Sequence, residues 1–220
     1  MSARQPGGES SESRTPRHTR YQDYVIRHGE LIGEFEELYQ DFDNPWDQTE
    51  RERRASEKFV AIHLLQGLGV RKVLELGSGL GQFAGALTEA GFEVRGIEIS
   101  PTAVEKARLA YPDVDFQVGD VLDFDKYREF DPDAIVMAEI TWLVLPQLDE
   151  LRTFLRTEFA GRYFVHLLHT YGPGVQQYGR ELFTDLPGIL AYFDLEYLEW
   201  GTVAKPEHEG GARTYFVGRL

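Results

Sequence analysis

At 220 residues the chain is long enough for one α/β domain with a substantial core and short additions. With no cysteine it excludes a disulfide framework, a thiolate metal site and a cysteine nucleophile, and it suits a reducing cytoplasm. Its formal charge of −14, from 23 basic and 37 acidic residues, repels a phosphate backbone and argues against nucleic acid as a partner.

Residues 1–20 are rich in Ser, Gly, Pro and Arg and too polar for a secretion signal. They cannot offset the entropy of ordering and read as a disordered tail. No apolar run approaches the roughly 20 residues of a membrane helix, so a soluble, cytoplasmic protein without a membrane partner is expected. From Tyr21 to Phe42 apolar residues recur at helical spacing around Gly29 and Gly33, predicting one or two short helices. Asn44-Pro45-Trp46 breaks that pattern. Thr49, with Glu52 completing a capping box, starts a helix that runs to about Gly67, and the run Arg51-Glu52-Arg53-Arg54 reads as its solvated face.

Val73 to Leu76 reads as a buried strand, followed by the turn Gly77-Ser78-Gly79-Leu80-Gly81 and a helix from Phe83 to Ala90. Glu93 to Ile99 is a strand, and Pro101 to Ala110 a helix capped by Ser100. Strands follow at Asp115 to Val118 and Ala134 to Ala138, then a helix at Leu148 to Phe159 and a strand at Arg162 to Leu168. Thr184 or Asp185 caps a helix through Phe193. Strands at Glu196 to Ala204 and Thr214 to Leu220 flank the turn Pro206 to Ala212 as a terminal antiparallel hairpin. Alternation of this kind predicts a doubly wound, mostly parallel sheet covered on both faces. The expected division is a tail (1–20), a helical lid and leading helix (21–67) and a ligand-binding core (68–220).

Such a sheet takes its ligand at the carboxyl ends of its strands. Glu75 with the glycine turn, Glu98, Asp120 and Glu139 all fall at such ends. Taken singly, each acid reads as a helix cap or a solvated turn; their serial placement is harder to obtain from capping alone. The glycines let a ligand approach the backbone, and Glu75 favours a ligand with cationic groups over a pyrophosphate. Glu98 can accept from a ribose diol and Asp120 from an adenine amine, while Ile99 and Val121 supply apolar walls. A nicotinamide dehydrogenase is disfavoured because its Gly-x-Gly-x-x-Gly needs a glycine at position 82, which is Gln, with the third glycine one residue early at Gly81.

These residues resemble the class I S-adenosylmethionine-dependent methyltransferase family. Its acid-x-Gly-x-Gly-x-Gly loop is matched by Glu75, Gly77, Gly79 and Gly81, with Ser78 in the loop, and its two later acids by Glu98 and Asp120. The likeness runs from about Trp46 to Leu220, and the terminal hairpin agrees with the family's seven-stranded sheet. It implies S-adenosylmethionine as cofactor, S-adenosylhomocysteine as product and a small-molecule acceptor. Asp43 to Trp46 also looks like a segment preceding the core in nodulation N-methyltransferases.

Methyl transfer needs an aligned acceptor and, for a hydroxyl, a base. His169, just past the fifth core strand, is the preferred base, against a plain loop histidine. His166 lies on the opposite strand face and reads more as a structural residue, while remaining a candidate. Glu139 can orient an amine or assist deprotonation, against a capped turn before Trp142. Tyr21, Tyr24, Trp46, Trp142, Tyr171 and Tyr178 are candidates for an aromatic wall over the acceptor, or for simple core. No His or carboxylate spacing suggests a metal site. O-methylation of a sugar or natural-product intermediate is the expected reaction; N-methylation and a non-catalytic cofactor-binding regulator are the alternatives. A monomer and a homodimer remain equally open.

Overall fold

Runs rich in apolar residues form the strands of the main sheet, and Gly77, Gly119 and the Ser100 cap turn the chain back after three of them. The computed structural model describes residues 16–46, 53, 55–172, 174–176, 178–204 and 211–220. Most of the expected tail, the capping box at Thr49 and Glu52, all of the run 51–54 except Arg53, His208 and most of the final turn lie outside the described residues.

Of the one or two short helices expected over Tyr21 to Phe42, one forms, and a hairpin precedes it. A 3-10 turn at Tyr21–Tyr24 leads into a two-rung antiparallel hairpin, Ile26–Arg27 with Glu30–Leu31, and only then into helix α1 (Phe35–Asp41). His28 and Gly29 both adopt positive φ (55° and 83°), so the hairpin turn uses the glycine that helical periodicity treats as an interruption. Helix α2 spans Ser56–Gly67.

The core follows in the order β1 (Lys72–Leu76), α3 (Gln82–Glu89), β2 (Glu93–Glu98), α4 (Pro101–Ala110), β3 (Asp115–Val118), α5 (Phe124–Phe130), β4 (Ala134–Ala138), α6 (Leu148–Glu158), β5 (Tyr163–Thr170), α7 (Leu186–Phe193), β6 (Glu196–Val203) and β7 (Ala212–Arg219). The strand order is β3-β2-β1-β4-β5-β7-β6. Strands β1 to β5 pair in parallel and β7 runs antiparallel between β5 and β6. The doubly wound sheet and its terminal hairpin match the sequence-based expectation. Ser100 Oγ accepts from the Ala103 amide and Asp185 Oδ1 from the Gly188 amide, the two caps read from the sequence.

Strand alternation divides the apolar side chains between two layers. Val73, Val94, Val136 and Val165 pack against α2, α3 and α4, whereas Leu74, Leu76, Ile135, Met137 and Phe164 pack against α5, α6 and α7. Helix α5 was not expected: it is about two turns long with four charged side chains among its seven residues. Its two buried aromatics, Tyr127 and Phe130, hold it, and Arg95 of β2 stacks over Phe130 while bonding Asp115 at 2.6 Å.

A third cluster centres on Tyr24, Val25 and Leu38 and reaches the sheet through Leu143. Helix α1 is fastened to α4 at both of its ends. Glu36 accepts from Ser100 Oγ (2.6 Å), Thr102 Oγ1 (2.6 Å) and the Thr102 amide (3.1 Å), at the positive end of α4. Lys106 Nζ donates to the carbonyls of Tyr39 (2.8 Å) and Phe42 (3.2 Å) at the negative end of α1. Burial pushes the Glu36 carboxyl up, but the hydrogen bonds outweigh it and leave it below the ordinary value. No helix among the described residues is long and apolar enough to cross a membrane.

Candidate active site

Strand order reverses between β1 and its two neighbours, and the loops leaving β1 and β4 diverge there. A cavity of about 550 Å³ opens at that point. Its floor is built from strand ends, and its mouth is covered by residues 21–46, including Tyr21, Val25, Phe35 and Trp46.

The glycine turn does less ligand-facing work than its composition implies. Gly77 and Gly79 line the cavity, but Gly81, Ser78 and Glu75 are not on its wall. Gly77 (φ +65°) and Gly81 (φ +79°) are required by protein packing: an added Cβ would stand 2.4 Å from Ile140 Cγ2 or from Phe116 Cζ. Ser78 is buried with its hydroxyl unpartnered. Glu75 shares a strand face with Val73 and points beneath α3, where the Ala84 amide bonds it; its Oε2 has no partner. Burial pushes its carboxyl up to about 8, against the pull of Lys58. Direct contact between Glu75 and a ligand is therefore corrected to support of the turn from below.

Glu98 and Asp120 form one side of the cavity together with Ile99 and Val121. Glu98 Oε2 accepts from the Gly79 amide (2.9 Å) and Oε1 from the Ser100 amide (3.0 Å). Burial raises its carboxyl, and the amides of Ser100, Gly79 and Ile99 oppose that rise. The carboxylate has more acceptor sites than these amides fill, which leaves capacity for a ligand hydroxyl. Asp120 Oδ1 accepts from the Leu122 amide (2.9 Å) and from Gln147 Nε2 (3.0 Å). Gln147 also lines the cavity and went unread in the sequence, because a lone Gln in a Pro-containing turn carries no signal.

The other side gathers Lys58, Glu139, His169 and Arg213. Lys58 Nζ sits 5.4 Å from the Phe83 ring centre and makes no hydrogen bond or ion pair among the described residues. Arg213 donates to Glu57 at 2.7 Å, and Glu57 is 1% exposed. Glu139 ends β4 with a left-handed backbone (φ 63°), its amide bonded to the Leu167 carbonyl and its Oε2 accepting from the His169 amide at 2.8 Å. Desolvation at the cavity wall raises its carboxyl, the His169 amide, Arg213 and Lys58 lower it, and Glu57 raises it.

Tyr21, Trp46, Trp142 and Tyr171 line the cavity; Tyr24 is fully buried in the cluster with Val25 and Leu38, and Tyr178 packs on the main core instead. His169 lines the cavity with its ring 5.6 Å from that of Tyr171. His166 does not reach the cavity, which corrects its place among the candidate catalytic groups. It is fully buried, stacked on Phe216 and bonded through Nε2 to Thr141 Oγ1 at 2.7 Å; desolvation lowers it to about 3. No cluster of three His, Asp or Glu able to hold a metal occurs among the described residues.

The reversed sheet, with acids on two successive strand ends beside a glycine turn, defines a Rossmann-like methyltransferase fold. Residues 73–158 match the family model of a methyltransferase domain. Three solved structures share the fold. The N-methyltransferase NodS from Bradyrhizobium japonicum WM9, in complex with S-adenosyl-L-homocysteine, is 19% identical, with 81% of this chain and 92% of that one covered (TM-score 0.57). The methyltransferase domain of bacterial CtHen1 is 16% identical over 77% of this chain and 99% of its own (TM-score 0.57). EvdMO1 is 19% identical over 75% of this chain (TM-score 0.53), and the chain spans only 41% of EvdMO1's length.

Proposed function

We propose that this protein transfers the methyl group of S-adenosylmethionine to a hydroxyl or amino group of a small metabolite, with residues 21–67 acting as the lid and leading helix over the core 68–220. The observation that carries this reading is the order of charges around the cavity. Glu98 and Asp120 offer acceptors for the ribose and adenine on one side, and Lys58, with no hydrogen bond or ion pair among the described residues, offers an ammonium for the methionine carboxylate on the other. Bound there, the cofactor supplies an electrophilic methyl carbon. The chain's part is to hold the acceptor in line with that carbon, to exclude water with the aromatic lid and to take up a proton at Glu139 or His169. The compact cavity and the acidic surface favour a small substrate over a nucleic acid, and the cysteine-free composition favours a cytoplasmic setting.

Calorimetry on the full chain tests the reading. S-adenosylhomocysteine should bind the wild type, and Lys58→Met should weaken it about tenfold, the equivalent of about 1.4 kcal/mol for one lost charge contact. Absence of binding to the wild-type protein would overturn the assignment.

A further inference from the structure

The charges on the acceptor side are unevenly matched. Arg213 is paired with Glu57 at 2.7 Å, and Lys58 sits within electrostatic reach of buried Glu75 and of Glu139. Glu98 is held by two main-chain amides, and Asp120 by one amide and Gln147. Glu139 lines the cavity and has one hydrogen bond among the described residues, from the His169 amide to Oε2. The backbone that presents it is left-handed at a non-glycine residue (φ 63°). Tyr21, Trp46, Trp142 and Tyr171 line the same cavity. A carboxylate with acceptor sites to spare, in a cavity lined by aromatic side chains, is the complement of an organic ammonium.

We infer that the acceptor is a small amine, bound as its ammonium with the nitrogen on Glu139 Oε1 and its apolar body against the aromatic walls. This rests on the methyltransferase reading above and names its substrate class. An ammonium has no lone pair to donate. One N–H bond breaks toward Oε1, its electron pair stays on nitrogen, and the carboxylate becomes a carboxylic acid. The nitrogen pair then forms the bond to the methyl carbon as the carbon–sulfur pair remains on sulfur, and Oε1 returns its proton to solvent as the methylated ammonium leaves. The cavity's desolvation of Glu139 raises its affinity for that proton, with Lys58, Arg213, Glu57, His169, Tyr171 and Tyr21 as the other titratable or charged groups facing it.

The test is calorimetric titration of the protein loaded with S-adenosylhomocysteine, using 2-phenylethylamine and tyramine against the isosteric alcohols 2-phenylethanol and tyrosol. The amines should bind at least about tenfold tighter than the alcohols. Glu139→Gln should erase that preference and leave S-adenosylhomocysteine affinity within about twofold, whereas Glu139→Asp, which keeps the charge, should retain part of it. Alcohols binding as well as the amines, no amine binding to the loaded protein, or a preference that survives Glu139→Gln would each overturn the inference. Failure of the wild type to bind S-adenosylhomocysteine at all would instead remove the reading beneath it.

Discussion

Replacing Glu75 by Gln should stabilise the free protein, and the gain should depend on pH. The carboxyl is 3% exposed, and burial lifts it from an ordinary 4.5 to about 8. Because the folded value lies above the unfolded one, its stabilising contribution is complete below pH 4.5 and is lost as pH rises toward 8. The loss accumulates at about 1.4 kcal/mol per pH unit, reaching roughly 3 kcal/mol at pH 7 and about 5 kcal/mol above pH 8. Gln keeps the shape and can still accept from the Ala84 amide, but has no charge to desolvate. Urea unfolding of wild type and Glu75→Gln at intervals from pH 4.5 to 8.5 should therefore give curves that coincide at the acid end and diverge upward for the variant. At pH 7 the melting temperature should rise by roughly 6–12 °C. Parallel curves, or a variant less stable at pH 7, would mean that Glu75 is ionised at little cost and that its burial has been misread.

Two further outcomes follow from packing and from the lid. Gly81→Ala places a Cβ 2.4 Å from Phe116 Cζ and 3.2 Å from Ala107 Cβ at φ +79°, so urea denaturation should show a loss of about 2–4 kcal/mol; a loss below about 1 kcal/mol would show that Phe116 yields freely. Glu36→Ala removes all three hydrogen bonds between α1 and the start of α4, and amide exchange at Tyr24 and Leu38 should accelerate by about tenfold or more while β4 stays protected, unchanged exchange marking the Lys106 contacts as sufficient.

The sheet was legible because each strand announces itself locally. Ala134 to Ala138 is an uninterrupted apolar run between Asp133 and Glu139, and Ser100 and Asp185 cap the helices their positions imply. Residues 21–34 were misjudged because apolar spacing alone cannot tell a helix from a hairpin whose turn sits at a glycine. Helix α5 escaped notice because two buried aromatics, not periodicity, decide it.

At the site, strand ends located Glu98, Asp120 and Glu139 on the cavity wall. The same period of two that separates His166 from His169 also places Glu75 on the face of Val73, under α3, a signal present in the sequence but not applied there. Lys58, Gln147 and Arg213 come from three elements far apart in the chain, so only tertiary structure could bring them to one cavity.

The left-handed backbone at Glu139 bears on how this protein would respond to laboratory evolution. Glycine at that position relieves the backbone strain by about 1 kcal/mol, and asparagine, which tolerates the conformation better than glutamate, relieves part of it. A library screened for thermal tolerance alone would thus be drawn to position 139 and would trade away its carboxylate, so any campaign to harden this scaffold should hold that residue fixed.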